Sequence, residues 1–189
     1  MSSSSRLAIA TALVLVSSTF VCSADELKEA KVGEITLKTP ANWKQSEPTS
    51  NLRLAQFEIP AAEGDKESAE LAIFSFGGGG GVQANVDRWI GQFYADGRKS
   101  KITSGKSDRG PYVIVDVTGT YKKPIGPPVL GKTEAMEGAR MLAVILAVEG
   151  KGSYFLKLTG EKATVSAAAE AFRTSFGGKA AHEKEFVPE

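Results

Sequence analysis

The side chains that most often do chemistry are scarce in this chain: its 189 residues include one histidine, His182, and one cysteine, Cys22. A Ser-His-Asp or Cys-His site needs its imidazole within hydrogen-bond reach of a nucleophile, and His182 falls past the last predicted helix. Cys22 lies in a segment expected to be removed. With no other thiol, no His pair and no Asp-x-Asp-x-Asp-Gly loop, zinc and calcium lack their usual ligands. Glu67 with Glu70, and Glu134 with Glu137, are spaced for acid–base work but read as solvated charges. The expectation is a non-catalytic chain without cofactor or metal.

The polar groups suited to binding are more concentrated. Five glycines at 77–81 precede Asn85, Arg88 and Gln92. At spacings i, i+3 and i+7 on a helix, these three line one edge beside the glycine loop. Arginine is the most telling of them, because its planar fork donates two parallel hydrogen bonds to a carboxylate or phosphate. Amides of Gly79 and Gly80 at a helix N-terminus are suited to an anion. The loop lacks the Gly-Lys-Ser/Thr ending of a P-loop, since Val82, Gln83 and Ala84 follow it. Two readings stand: an anion cradle, or a connector whose glycines accept positive φ. For the polar edge, the alternatives are a binding surface or an N-cap followed by solvated side chains.

The elements that position these residues follow from periodicity. Residues 34–39 alternate polar and apolar as a half-buried strand. Residues 52–59 and 71–76 flank an acidic turn and read as a hairpin. Val86, Trp89, Ile90 and Phe93 recur at i, i+3, i+4 and i+7, which predicts an amphipathic helix capped by Asn85, with Asp87 in its first turn and Gly97 just past its end. Strands are expected at 101–106 and 112–121. Pro124, Gly126, Pro127, Pro128 and Gly131 predict a long loop or flap over 122–138. The uninterrupted apolar run 141–148 has the character of a strand covered on both faces, at the centre of a sheet. Residues 154–159 form a further strand. Val165, Ala168, Ala169, Phe172 and Phe176 then repeat at helical spacing up to Gly177 and Gly178. Trp43 is expected to plug one end of the sheet. The pattern is α+β: a mainly antiparallel sheet of about six to seven strands with helices packed on it.

The two ends of the chain supply the remaining expectations. Arg6, an apolar stretch over 7–16 and the small-residue ending Cys22-Ser23-Ala24 form an export signal, too short to span a bilayer. Cleavage after Ala24 leaves a single domain over 25–178, a polar tail over 179–189 and no membrane span. Because the chain carries 23 basic and 22 acidic side chains, losing Arg6 leaves the two balanced. A nucleic-acid partner, which calls for a basic excess, is set aside.

Ile35-Thr36-Leu37-Lys38-Thr39-Pro40-Ala41-Asn42-Trp43, Phe155-Leu156-Lys157-Leu158-Thr159-Gly160 and Phe172-Arg173-Thr174-Ser175-Phe176 make the chain resemble the PsbP-like group of α/β/α sandwiches. The middle, from the glycines to Gln92, looks more like a subgroup of uncharacterised bacterial secreted proteins. The resemblance implies that fold and a docking role without chemistry. The expected partner is an envelope or secreted protein, bound through Gly79, Gly80, Asn85, Arg88 and Gln92, in the periplasm or outside the cell. The alternative is a small-anion or ligand-binding protein, or a hydrolase, using the glycine loop.

Overall fold

A computed structural model describes residues 26–76, 80–126 and 130–187. Residues 1–25, where the export signal is expected, and Gly77, Gly78 and Gly79 lie outside the described residues. In chain order the elements are β1 (Leu27–Val32), β2 (Ile35–Pro40), β3 (Lys44–Ser46), β4 (Arg53–Ile59), β5 (Ala69–Ser75), α1 (Val82–Ile90), β6 (Lys99–Ser107), β7 (Gly110–Pro124), β8 (Thr133–Val148), β9 (Gly152–Glu161), α2 (Lys162–Ser175), a 3₁₀ turn (Ala180–His182) and β10 (Lys184–Glu185). β1 and β2 form a separate two-stranded ribbon. The other strands form one eight-stranded sheet in the order β10-β6-β7-β8-β9-β5-β4-β3. Every strand pairing among the described residues is antiparallel.

Both faces of this sheet are apolar where its central strands lie, because β8 contributes buried side chains in both directions. Leu142, Val144 and Leu146 point into one core, shared with Leu37 and Trp43 from the β1–β2 end and with Val165, Phe172 and Phe176 of α2. Met141, Ala143 and Ile145 point into a second, with Val86 and Trp89 of α1, Phe93 and Tyr121. A strand with an apolar run instead of alternation needs cover on both sides. The sheet is thus sandwiched between α1 and a layer made of α2 and the ribbon, a sheet-rich α+β arrangement. Trp43 is a buried plug, as expected, at 6% exposure.

The sequence expectations need correction at five places. The large sheet has eight strands and the ribbon two more, because Leu27–Val32 and the short Lys44–Ser46 also pair. α1 starts at Val82, with Gly81 as N-cap and no side-chain cap. Val82, Gln83 and Ala84 can all be helical, so the helix begins where the glycines end, and neither Asn85 as a cap nor Asp87 as a first-turn acid is right. α1 also stops at Ile90, well short of Gly97, with Gly91 as its C-cap. The supposed flap over 122–138 is largely the end of a long hairpin, with Tyr121 opposite Met136 and Pro124 opposite Thr133. Finally, the polar segment after α2 buries a side chain: Glu183 accepts hydrogen bonds from Arg173, Tyr112 and Thr103. β10 then pairs with β6.

Candidate binding site

Two of the polar residues singled out beside the glycines, Arg88 and Gln92, meet in a hollow between α1 and the sheet. Phe74, Phe76, Arg88, Trp89, Gln92, Phe155 and Lys157 enclose about 210 Å³. Its apolar wall is a chain of rings. Phe74 stacks on Phe76 at 6.0 Å between centroids, Phe76 lies 5.7 Å from Phe155, and Trp89 meets Phe155 edge-on at 6.3 Å.

Lys157, for which the sequence alone gives no signal, supplies a half-buried charge at the floor of the hollow. On β9 it stands opposite Ala72 on one side and Ala143 on the other. Both neighbours are fully buried alanines, and their small size leaves room for the lysine stem. The ammonium donates to Gln92 Oε1 and to Tyr121 Oη, each at 3.2 Å. It also lies 5.6 Å from the centre of the Tyr121 ring. Burial pushes its pKa down to about 8; Glu70 opposes the shift, while Arg53 and Arg88 add to it. Burial likewise pushes Tyr121 up to about 12, reinforced by Glu70 and opposed by Arg53. Glu70 is paired with Arg53 at 2.9 Å. Among the described residues no carboxylate lies within ion-pair distance of Lys157 or Arg88.

Gln92 reaches this place by a route other than the helix edge. It follows the C-cap, and its carbonyl accepts from the Lys122 amide at 2.9 Å, while Tyr94 N–H donates to the Thr120 carbonyl at 2.9 Å. Phe93 and Tyr121 form the bridge between these segments. The register of β7 shifts between Gly119 and Tyr121, next to the residue that forms this bridge. Arg88 comes from α1 itself and donates to Asn85 Oδ1 at 2.6 Å. Asn85 is 2% exposed, and its Nδ2 turns back to the Gly81 carbonyl at 3.1 Å. It positions Arg88 from beneath. Gly80 has a φ of 78°, a left-handed conformation that suits glycine, and a Cβ there would stand 3.6 Å from Asn85 Nδ2. Gly79 lies outside the described residues.

The other candidates disperse. Glu67 pairs with Lys123 at 2.6 Å and Glu70 with Arg53, so those two carboxylates serve separate partners. Glu134 lies 3.5 Å from Lys123, and Glu137 is exposed. His182 borders a wider hollow of about 540 Å³ with Ser104 and Ser153, and among the described residues its ring makes no hydrogen bond to either hydroxyl. No three His, Cys, Asp or Glu side chains among the described residues gather as metal ligands, and no described helix is long and apolar enough to cross a membrane.

No family profile matches the chain, and no curated protein matches it. Among solved structures it is similar to PA94 from Pseudomonas aeruginosa, a protein of unknown function, at 15% identity over 86% of this chain and 97% of that one, with a TM-score of 0.44. It is also similar to cyanobacterial PsbP from Synechocystis sp. PCC 6803, at 12% identity over 91% of this chain and 99% of that one, with a TM-score of 0.48. Cyanobacterial PsbP is of the PsbP-like group that residues 35–43, 155–160 and 172–176 resemble.

Proposed function

We propose that this chain is an exported, non-catalytic docking protein that receives a carboxylate-bearing segment of another envelope or secreted protein at the edge of α1. The observation that carries this reading is the convergence of Arg88, Lys157 and Gln92 in a hollow walled by aromatic rings, with no carboxylate of the described chain paired to either cation. Size favours a protein partner over a small ligand. Sites that engulf small molecules usually hold about 300–1,000 Å³, and this hollow of about 210 Å³ suits a single residue. Arginine with aromatic neighbours is also the composition of residues that dominate protein interfaces. Export rests on the leader ending at Ala24.

The test is chemical crosslinking of the mature protein in native envelope and culture medium, beside an Arg88→Ala/Gln92→Ala variant, with captured species identified by mass spectrometry. Asn85 is left in place because its side chain is buried and bonded within α1. The expected result is one stoichiometric partner, captured by the parent protein and lost in the variant. Capture that the variant retains would remove the α1 edge from the reading. Competition by millimolar phosphate would instead favour an anion site at the glycine loop.

A further inference from the structure

We infer that the hollow beneath α1 is an anchor pocket for the C-terminal residue of the docked partner, an apolar side chain whose α-carboxylate is held between Lys157 and Arg88. The inference rests on the docking reading for where the partner lands and adds what it inserts.

Three observations converge on this chemistry. The first is donor count. An ammonium has three N–H groups, and Lys157 directs two of them to Gln92 and Tyr121, leaving one for a ligand. Arg88 engages Asn85 through a single nitrogen, leaving other guanidinium donors. The second is charge. Lys157 is faced by Arg88 and Gln92 from the α1 side, Tyr121 from β7, Glu70 from β5 and Arg53 from β4. Glu70 and Arg53 pair with each other. The hollow therefore keeps the positive charge of Lys157 and Arg88, and a carboxylate entering it meets two cations, one half-buried on the sheet and one on the exposed edge of α1. The third is shape. Four aromatic residues line a space that fits one residue. A glutamate side chain would leave most of that apolar wall uncovered, whereas an apolar C-terminal residue covers the rings and carries its carboxylate beside them.

The pocket also has a cost that a ligand relieves. An ammonium drawn partly out of water with no carboxylate paired to it is unfavourable, and desolvation holds Lys157 at about 8 where 10.5 is ordinary. A bound carboxylate favours the protonated amine, so binding raises that pKa and weakens as the amine loses its proton.

The experiment is calorimetric titration of the mature protein with acetyl-Ser-Gly-Ser-Gly-Phe as free acid, the same peptide as C-terminal amide, and 3-phenylpropionate. The expected result is saturable binding of the acid peptide, at least about tenfold weaker binding of the amide, and still weaker binding of 3-phenylpropionate. Lys157→Met and, separately, Arg88→Met are each expected to weaken the acid peptide at least about tenfold while leaving the Trp89 fluorescence of the folded protein in place. Affinity for the acid is expected to fall from pH 7 to pH 9, as Lys157 deprotonates around its pKa of about 8. Equal binding of acid and amide overturns the inference. So does 3-phenylpropionate binding as tightly as the peptide, which would make a small organic acid the occupant. Failure of the pocket leaves crosslinked capture sensitive to Arg88 and Gln92 but indifferent to Lys157→Met, whereas failure of the docking reading abolishes that sensitivity altogether.

Discussion

Lys157 is the residue at which stability and binding pull in opposite directions. Its folded pKa of about 8 lies below the ordinary 10.5, so between those values the unfolded chain holds a proton that the folded chain has released. Stability therefore rises with pH across that window, by at most about 3 kcal/mol. Tyr121 acts in the opposite sense: raised from 10.0 to about 12, it keeps its proton in the folded state where the unfolded chain has lost it, and stability falls above pH 10. The two together predict a stability maximum near pH 10, measurable as urea midpoints across pH 7 to 11. Lys157→Met is expected to raise the unfolding free energy at pH 7, by about 1 kcal/mol once the donors lost to Gln92 and Tyr121 are counted, and to flatten the rise above pH 8. An unchanged pH profile would show that Lys157 is solvated like any surface lysine. In the sequence this lysine was illegible as a site, because Phe155-Leu156-Lys157-Leu158 is an ordinary alternating strand. Its signal is the pair of alanines, Ala72 and Ala143, that flank it, and these become neighbours only once the strand register is known.

At the scale of elements, legibility followed the strength of periodicity. The apolar run 141–148 read correctly as a central, doubly covered strand because eight apolar residues in sequence leave few alternatives. Leu27–Val32 was missed because its charged, exposed face outweighs Ala30 and Val32. β10 was missed because two exposed residues carry no pattern. What fixes that last segment is one side chain, Glu183, whose carboxylate accepts from Arg173 at 2.7 and 3.2 Å, Tyr112 at 3.2 Å and Thr103 at 3.0 Å. Side-chain exposures of 10% for Arg173 and 7% for Glu183 make this a buried ion pair. Removing one partner leaves the other's charge uncompensated. Glu183→Gln is therefore expected to cost about 2–3 kcal/mol in urea unfolding, part of the full penalty being relieved as the terminal segment detaches. Hydrogen exchange should show that detachment as faster exchange at Phe186, whose amide donates to the Ile102 carbonyl. A loss below about 0.5 kcal/mol would mean that the segment contributes only a solvated surface pair. The short α1 was legible in kind but not in extent: Trp89 and Val86 face the core as their spacing implied, while Phe93 and Gln92 belong to the bridge that follows it.

The molecule as a whole has two cores of unequal depth on either side of one sheet, and the site lies in the thinner of them. The deeper core is closed by α2, fourteen residues long, together with the β1–β2 ribbon and Trp43. The other is roofed mainly by α1, nine residues held by Val86, Trp89 and the Phe93 contact with Tyr121. A helix of that length is marginal by itself in water, so its persistence depends on those few side chains. Local opening should therefore lift α1 while the sheet and α2 remain intact. Native-state hydrogen exchange is expected to give amides of the last turn of α1, Arg88 to Ile90, opening free energies at least about 2 kcal/mol below those of Ala143 to Ile145 in β8, which should exchange only by global unfolding. The acid-terminated peptide, bridging Arg88 of α1 to Lys157 of the sheet, should slow the α1 amides selectively, because its carboxylate ties the roof to the floor. Uniform protection of α1 and β8 in the unliganded protein would mean that the roof does not open by itself, and entry to the hollow would then require only side-chain movement of Arg88 and Gln92. The placement of cations beneath a lightly held helix is thus a statement about access as well as affinity: the element that is easiest to open carries half of the charge that a carboxylate would meet.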